Sequence, residues 1–348
     1  MDRRTRLISL RSIRVAFLKA SSWKARTPTK ISGDKGEKIL KPREGQRFRA
    51  DLTLLLVSLI WGSAFVAQRV AATSMNAFLF NGLRFLLGAV VLIPLAGFIS
   101  RKREAANSLN LRSLAGLILA GVFLAAGAGL QTLGLRYTTA ANAGFITGMY
   151  VVLVPLLLAL IWRQWPGRMI WLSVGLASVG LFLLSTGGRL RLAPGDGLEF
   201  AGAVLWACHV ILIGFLAQRA EALTIAIGQN VVCGVVSLLI LLLTAEGDLL
   251  EGLSTSWWTI VYTGILSVGV GYTLQIVGQR TAPPTDAAII MSLEAVFAAI
   301  FGWLLLSESL SRIQILGCLF MITAMVLAQI GPARSDKTVL SKVNDLTG

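Results

Sequence analysis

Few residues in this chain of 348 are of types that do chemistry, and most of those stand inside long apolar runs. Glu294 lies midway along the run 284–306. At that depth in a bilayer an acidic side chain costs about 2.5–3.5 kcal/mol on insertion scales, so it must face a cavity or a partner. Arg84 lies a third of the way along the run 77–99, at a depth differing by roughly 8 Å from that of Glu294 at the helical rise. Two readings stay open: an ion pair that locks two helices, or a Glu294 that binds a substrate ammonium or carries a coupling proton. The single histidine, His209, reads first as a packing residue, with a proton relay as its alternative. It excludes a multi-histidine metal site. Cys208, Cys233 and Cys318 sit in apolar stretches as small buried hydrophobes. No H-E-x-x-H, G-x-S-x-G, paired mid-membrane aspartates or Gly-rich nucleotide loop occurs. We expect no enzyme, no cofactor and no metal.

Composition shows what must hold these residues. AVILMFWYC residues make up 55% and charged residues 14%, against about 25% charged in soluble domains. The first fifty residues hold 19 of the charges and the last seventeen hold 5, which leaves 25 for residues 51–331. Such a chain is polytopic in a membrane, and the formal net charge of +15 is mostly the +11 of its tail. Nucleic acid is therefore not expected as a partner. Ten runs are long enough to cross about 30 Å of hydrocarbon: 52–72, 77–99, 113–133, 141–162, 169–187, 198–217, 223–244, 257–277, 284–306 and 312–331. None alternates apolar and polar residues, so helices are expected rather than a barrel. Outside the tail, an N-terminus in the cytoplasm puts 11 basic residues on the inner side and 5 on the outer. Both termini are thus expected in the cytoplasm of a plasma (inner) membrane protein.

The chain repeats itself. Shifted by 144 residues, Leu130-Gln-x-x-Gly-x-Arg136 falls on Leu274-Gln-x-x-Gly-x-Arg280, and Ala143, Ile146 and Val152 fall on Ala287, Ile290 and Val296. Spans 1–5 (51–187) and 6–10 (198–331) form two copies, between a basic tail at 1–50 and a C-terminal tail at 332–348. Five spans are an odd number, so the second copy enters the membrane inverted. Inverted repeats characterise secondary transporters, with the site near the midplane between the halves. The register pairs Tyr150 with Glu294, Asn230 with Arg84, Gln131 with Gln275 and Trp61 with Trp206. These residues, with Tyr272, are the expected lining of a midplane cavity. Interhelical hydrogen bonding of the glutamines and lipid-facing tryptophans are the alternatives. Asn142 and Asp286 are expected to cap their helices, Glu308 to be interfacial, and Pro155 to bend span 4. Gly121, Ala125 and Gly129 on span 3, and Ser267 and Gly271 on span 8, make small-residue packing ridges.

Ile60-Trp-Gly-Ser-Ala-Phe65, Leu83-Arg-Phe-Leu86, the stretch 134–148 and Ser292-Leu-Glu-Ala-Val-Phe297, followed by Gly302-Trp303 and Glu308, resemble EamA-type members of the drug/metabolite transporter superfamily. The resemblance covers residues 52–331. It implies ten helices and carriage of a small metabolite or drug. Three features depart from the pattern: Ala295 replaces a frequent proline after the span-9 Glu, Gln164 stands opposite Glu308, and the basic extension is additional. No lysine lies between Lys102 and Lys337, which disfavours phosphorylated substrates. The expectation is a secondary transporter, an exporter, of neutral, zwitterionic or cationic metabolites or drugs, amino-acid-like compounds included. Its partners are the lipid bilayer, a coupling proton and a second copy in a homodimer. A passive channel or a membrane protein without transport activity is the alternative.

Overall fold

The computed structural model describes residues 44–100, 111–138, 140–189, 193–244, 248–306 and 309–330. Most of the basic tail, Glu308 and the segment 332–348 lie outside the described residues. All regular structure among the described residues is helical. Ten spans are long and apolar enough to cross a bilayer: Gly45–Ser74, Ala77–Phe98, Ser113–Gly134, Ala143–Ile161, Arg168–Thr186, Asp196–Leu216, Ala222–Thr244, Leu253–Gln279, Pro284–Leu304 and Arg312–Ile330. Helices satisfy every backbone group within the segment, as hydrocarbon requires. Their outer faces are apolar: Val90, Ile93, Phe98, Leu242, Leu243, Trp303 and Leu319 are all exposed. In water this surface would be an aggregation patch; in lipid it is the solvated face.

Span 1 starts earlier than the apolar run suggests. Its helix runs over Glu44–Ser74, so residues 44–50 belong to the span and not to the tail. Hydropathy misses them because the turn carries Arg47 and Arg49, yet Arg47 is anchored by Asp286 and Ala50 is buried. Asp286 therefore pairs and does not cap: its helix, Pro284–Met291, has Pro283 at the N-cap and no side-chain cap. Span 8 begins at Leu253 and span 6 at Asp196.

Two spans are broken at matching places. Span 4 is Ala140–Gly148 and then Tyr150–Trp162; span 9 is Pro284–Met291 and then Glu294–Leu306. At each break the ladder tightens to three-residue bonds, Met149 N to Ile146 O (3.1 Å) and Leu293 N to Ile290 O (3.2 Å). Span 9 breaks without a proline beside Glu294; Ser292 instead turns its hydroxyl back to Ile289 O (2.8 Å). In span 4 the break falls at Met149, and Pro155 lies inside the following helix. Span 8 widens to a π-helix over Thr263–Gly271.

The two copies are interwoven. Span 1 packs on spans 8 and 9, span 6 on spans 3 and 4, span 2 on span 7, and span 5 on span 10. The small-residue ridge of span 3 is used at Gly121, where an added Cβ would strike Val232 of span 7. Spans 5 and 10 meet backbone to backbone, with a Cβ at Gly317 falling 2.6 Å from Gly180 O.

Candidate functional site

The interweaving leaves a cavity to which seven spans contribute. About 590 Å³ lies between its lining atoms, part of it open to the outside, and only about 60 Å³ is wide enough for the centre of a water molecule. At about 10–15 Å³ per water, that is room for a handful of waters or one small solute.

Nine of the ten residues singled out from the sequence line this cavity: Glu294, Arg84, Trp61, Gln131, Tyr150, Trp206, Tyr272, Gln275 and His209. Asn230 does not. It is fully buried in span 7, and neither of its amide atoms has a hydrogen-bond partner. Its register with Arg84 is sound, but its side chain is too short to carry the amide to the cavity as the arginine stem carries its head.

Arg84 and Glu294 share the wall without pairing, so the ion-pair reading is not realised. An ion pair forms instead between Arg47 and Asp286, at 2.9 Å. Arg84 Nε donates to Asn81 Oδ1 and one terminal nitrogen donates to Gln68 Oε1, both at 3.0 Å. The guanidinium lies 4.6 Å from the Phe80 ring centroid and 5.1 Å from that of Phe85. Two neutral acceptors and two rings thus orient the cation without neutralising it, and donors of the five-donor head remain. Glu294 opens the second helix of span 9, where the helix dipole favours an anion. Tyr150, its mate in the other copy, donates its hydroxyl to Glu294 Oε1 at 3.3 Å.

An aromatic box completes the wall. Tyr272 lies 5.1 Å from Trp61, 5.9 Å from His209 and 6.5 Å from Trp206, the last pair stacked at 13°. Both tryptophans are therefore interior, while Trp165, Trp257, Trp258 and Trp303 are exposed. The Trp61 indole donates to Ser267 O (3.1 Å), a carbonyl of the widened π-turn. His209 Nε2 shares a 3.0 Å hydrogen bond with Gln229 Oε1. Gln131 donates to Thr147 Oγ1 (3.3 Å), and Gln275 donates to Gln279 Oε1 (3.0 Å). The indole N–H of Trp206 and Oε1 of Gln275 have no protein partner, so the wall carries an unmet donor and an unmet acceptor.

Sequence reasoning missed Gln68, Phe65, Thr147, Ser267 and Met291 on the same wall. Thr147 and Met291 were legible: the 144-residue register places them as mates, one turn before Tyr150 and Glu294. Ser267 was not, because its carbonyl and not its side chain takes the Trp61 bond.

One end of the bundle is shut. Between the cavity and the end where span 1 begins lies an apolar cluster that includes Leu54, Val57, Leu158, Val210, Ile211, Ile290 and Met291. Beyond it Arg47 of span 1 clasps Asp286 of span 9.

Ten membrane-length spans, two five-span repeats and a cavity walled by both copies make an architecture suited to a membrane transporter. Residues 48–186 and 193–329 each match the EamA-like transporter family. The chain belongs to that family, and is a multi-pass membrane transporter of the drug/metabolite superfamily. It is 30% identical over 286 residues to an "uncharacterized transporter" of Archaeoglobus fulgidus, which spans 82% of this chain and 87% of that protein. It is 23% identical over 290 residues to the "uncharacterized inner membrane transporter YedA" of Escherichia coli K12, covering 80% of this chain and 90% of that protein. A solved structure titled "Crystal structure of protein" superposes with a TM-score of 0.67 at 18% identity, over 82% of this chain and 97% of that one. It shares the fold.

Proposed function

We propose that the chain exports a small zwitterion of amino-acid type, with the ammonium at Glu294, the carboxylate at Arg84 and the apolar part against Trp61, Trp206 and Tyr272. The observation that carries this reading is that one narrow cavity presents a carboxyl and a guanidinium that do not neutralise each other. A ligand with both charges satisfies both groups at once, whereas a phosphorylated ligand meets a single cation. The repeats exchange conformations to expose the cavity alternately to each side. The apolar cluster under Met291 argues against a continuously open pore.

Basic residues outside the tail favour a cytoplasmic N-terminus in an inner membrane. Burial lowers the Arg219 guanidinium to about 10, still protonated at neutral pH, so it keeps its weight in that bias. The test compares extracellular metabolites of cells overproducing the protein with those of cells producing Glu294→Gln at equal membrane abundance. Zwitterions enriched only with the intact protein are expected. Enrichment confined to cations or uncharged compounds would overturn the substrate class, and enrichment inside the cells would overturn the direction.

A further inference from the structure

Glu199 belongs to no part of the reading above, and it is the least expected carboxyl in the molecule. It lies one turn into span 6 and is 0% exposed. Its Oε2 accepts the Thr147 hydroxyl at 2.9 Å, while its Oε1 is buried with no hydrogen-bond partner. The fold makes room for it: a Cβ at Gly134 would fall 2.6 Å from Glu199 Oε1.

The other copy shows what this place needs structurally. The register that sets Trp61 against Trp206 sets Leu54 against Glu199. Gly278, the mate of Gly134, leaves room for Leu54 in the same manner, with a Cβ 2.7 Å from Leu54 Cγ. Leu54 is itself fully buried. An aliphatic side chain thus fills one copy of the niche, and a carboxyl with an open oxygen fills the other. Packing does not account for the difference.

The niche communicates with the cavity through Thr147, whose side of span 4 is on the cavity wall. Gln131 donates to Thr147 Oγ1, which directs the hydroxyl proton at Glu199. We propose that Glu199 is a proton-binding site, exchanging with cavity water across the Thr147 hydroxyl. On loading, a cavity hydronium gives its proton to Thr147 Oγ1 as the hydroxyl's own proton passes to Glu199 Oε2, leaving water and a neutral carboxylic acid. Release runs in reverse, and no other reactant is needed. The groups around it are few. Asp196, on its own helix, acts on it through space and is itself engaged by Thr138 and the Ala193 N–H. Span 3 brings Gly134 and Gln131, and span 4 brings Thr147 and, one turn further, Tyr150.

This inference rests on the transport reading only for its use, so its test has a readout of its own. The purified protein in detergent is taken through a pH jump, and carboxylic C=O bands are followed by infrared difference spectroscopy in a Glu294→Gln background. A band that Glu199→Gln removes and that Thr147→Val shifts or slows is the expected result. Glu199→Leu, which installs the other copy's residue, serves as the folding control by thermal unfolding. A difference spectrum unchanged by Glu199→Gln in folded protein overturns the site. In proteoliposomes with an imposed pH gradient, solute flux should lose its dependence on the gradient in Glu199→Leu. A gradient dependence equal to that of the intact protein would likewise overturn the proposal. A band present without any solute flux in the intact protein would instead count against the transport reading alone.

Discussion

Glu294 and Arg84 are ionisable groups in a place where charge is costly, and their environments differ in a way that bears on their roles. Arg84 is held by Gln68 and Asn81 and flanked by Phe80 and Phe85, so it is a fixed point. Glu294 has one long bond from Tyr150 and faces the cavity. Replacing it by Gln keeps the shape and the Tyr150 contact but removes the charge-assisted bond to an ammonium, worth about 1.5–3 kcal/mol. A loss of transport of about tenfold to a hundredfold is expected, with thermal unfolding of the purified protein little changed; retained flux would move Glu294 to a structural role. Trp61→Phe keeps the ring against Tyr272 but deletes the bond to Ser267 O, so a destabilisation of about 1 kcal/mol is expected in detergent unfolding. Much of this wall was legible because intramembrane polar residues are few, and internal register paired them. Glu199 escaped that logic: near the end of an apolar run it looks interfacial, and only the depth of span 6 and the space at Gly134 show it buried.

Elements were legible as apolar lengths but not in their irregularities. The count of ten came directly from hydropathy, since hydrocarbon thickness fixes the length of a span, and the repeat came from self-similarity at a shift of 144 residues. The breaks at Met149 and at Ser292–Leu293 did not, because no proline or paired glycine marks them; they are matched by position, not by composition. The π-widening of span 8 lies in a Gly-rich stretch that reads simply as packing. Charged first turns hid the start of span 1 for the reason that Arg47 finds its counter-ion in another copy, at 286, far along the chain. Close approach of spans 5 and 10 gives a test at this scale. Gly317→Leu must push apart two backbones, and overpacking of this kind costs about 1–3 kcal/mol. Gly175, beside which an added Cβ meets nothing within 4 Å, is the control, and Gly175→Ala should unfold at the same or a slightly higher temperature.

At the scale of the whole molecule, the copies trade helices so thoroughly that neither has a core of its own, and the cavity exists only where they meet. The apolar cluster around Leu54 and Met291 and the Arg47–Asp286 pair close one end. Arg47 is partly exposed while Asp286 is buried, and with solvent screening from the Arg47 side the pair is worth on the order of 1 kcal/mol. Arg47→Ala should therefore raise the labelling rate of a Leu54→Cys reporter by no more than about fivefold; an unchanged rate would mean that the apolar cluster alone holds that end. A C-terminal reporter that is active only in the cytoplasm checks the orientation. The ion pair also bears on energetics in another way. If two inverted copies were chemically identical, swapping their conformations would regenerate the same molecule upside down, and the two states would be equally populated by symmetry. The counterparts of Arg47 and Asp286 are Leu192 and Asn142, a pair that cannot form an ion pair. Under the alternating reading proposed above, a clasp that these two positions cannot repeat would lift the degeneracy. Each 1.4 kcal/mol of such inequality would be about a tenfold preference in resting population, so in an alternating carrier the side favoured at rest would be written in the residues where its halves have ceased to match.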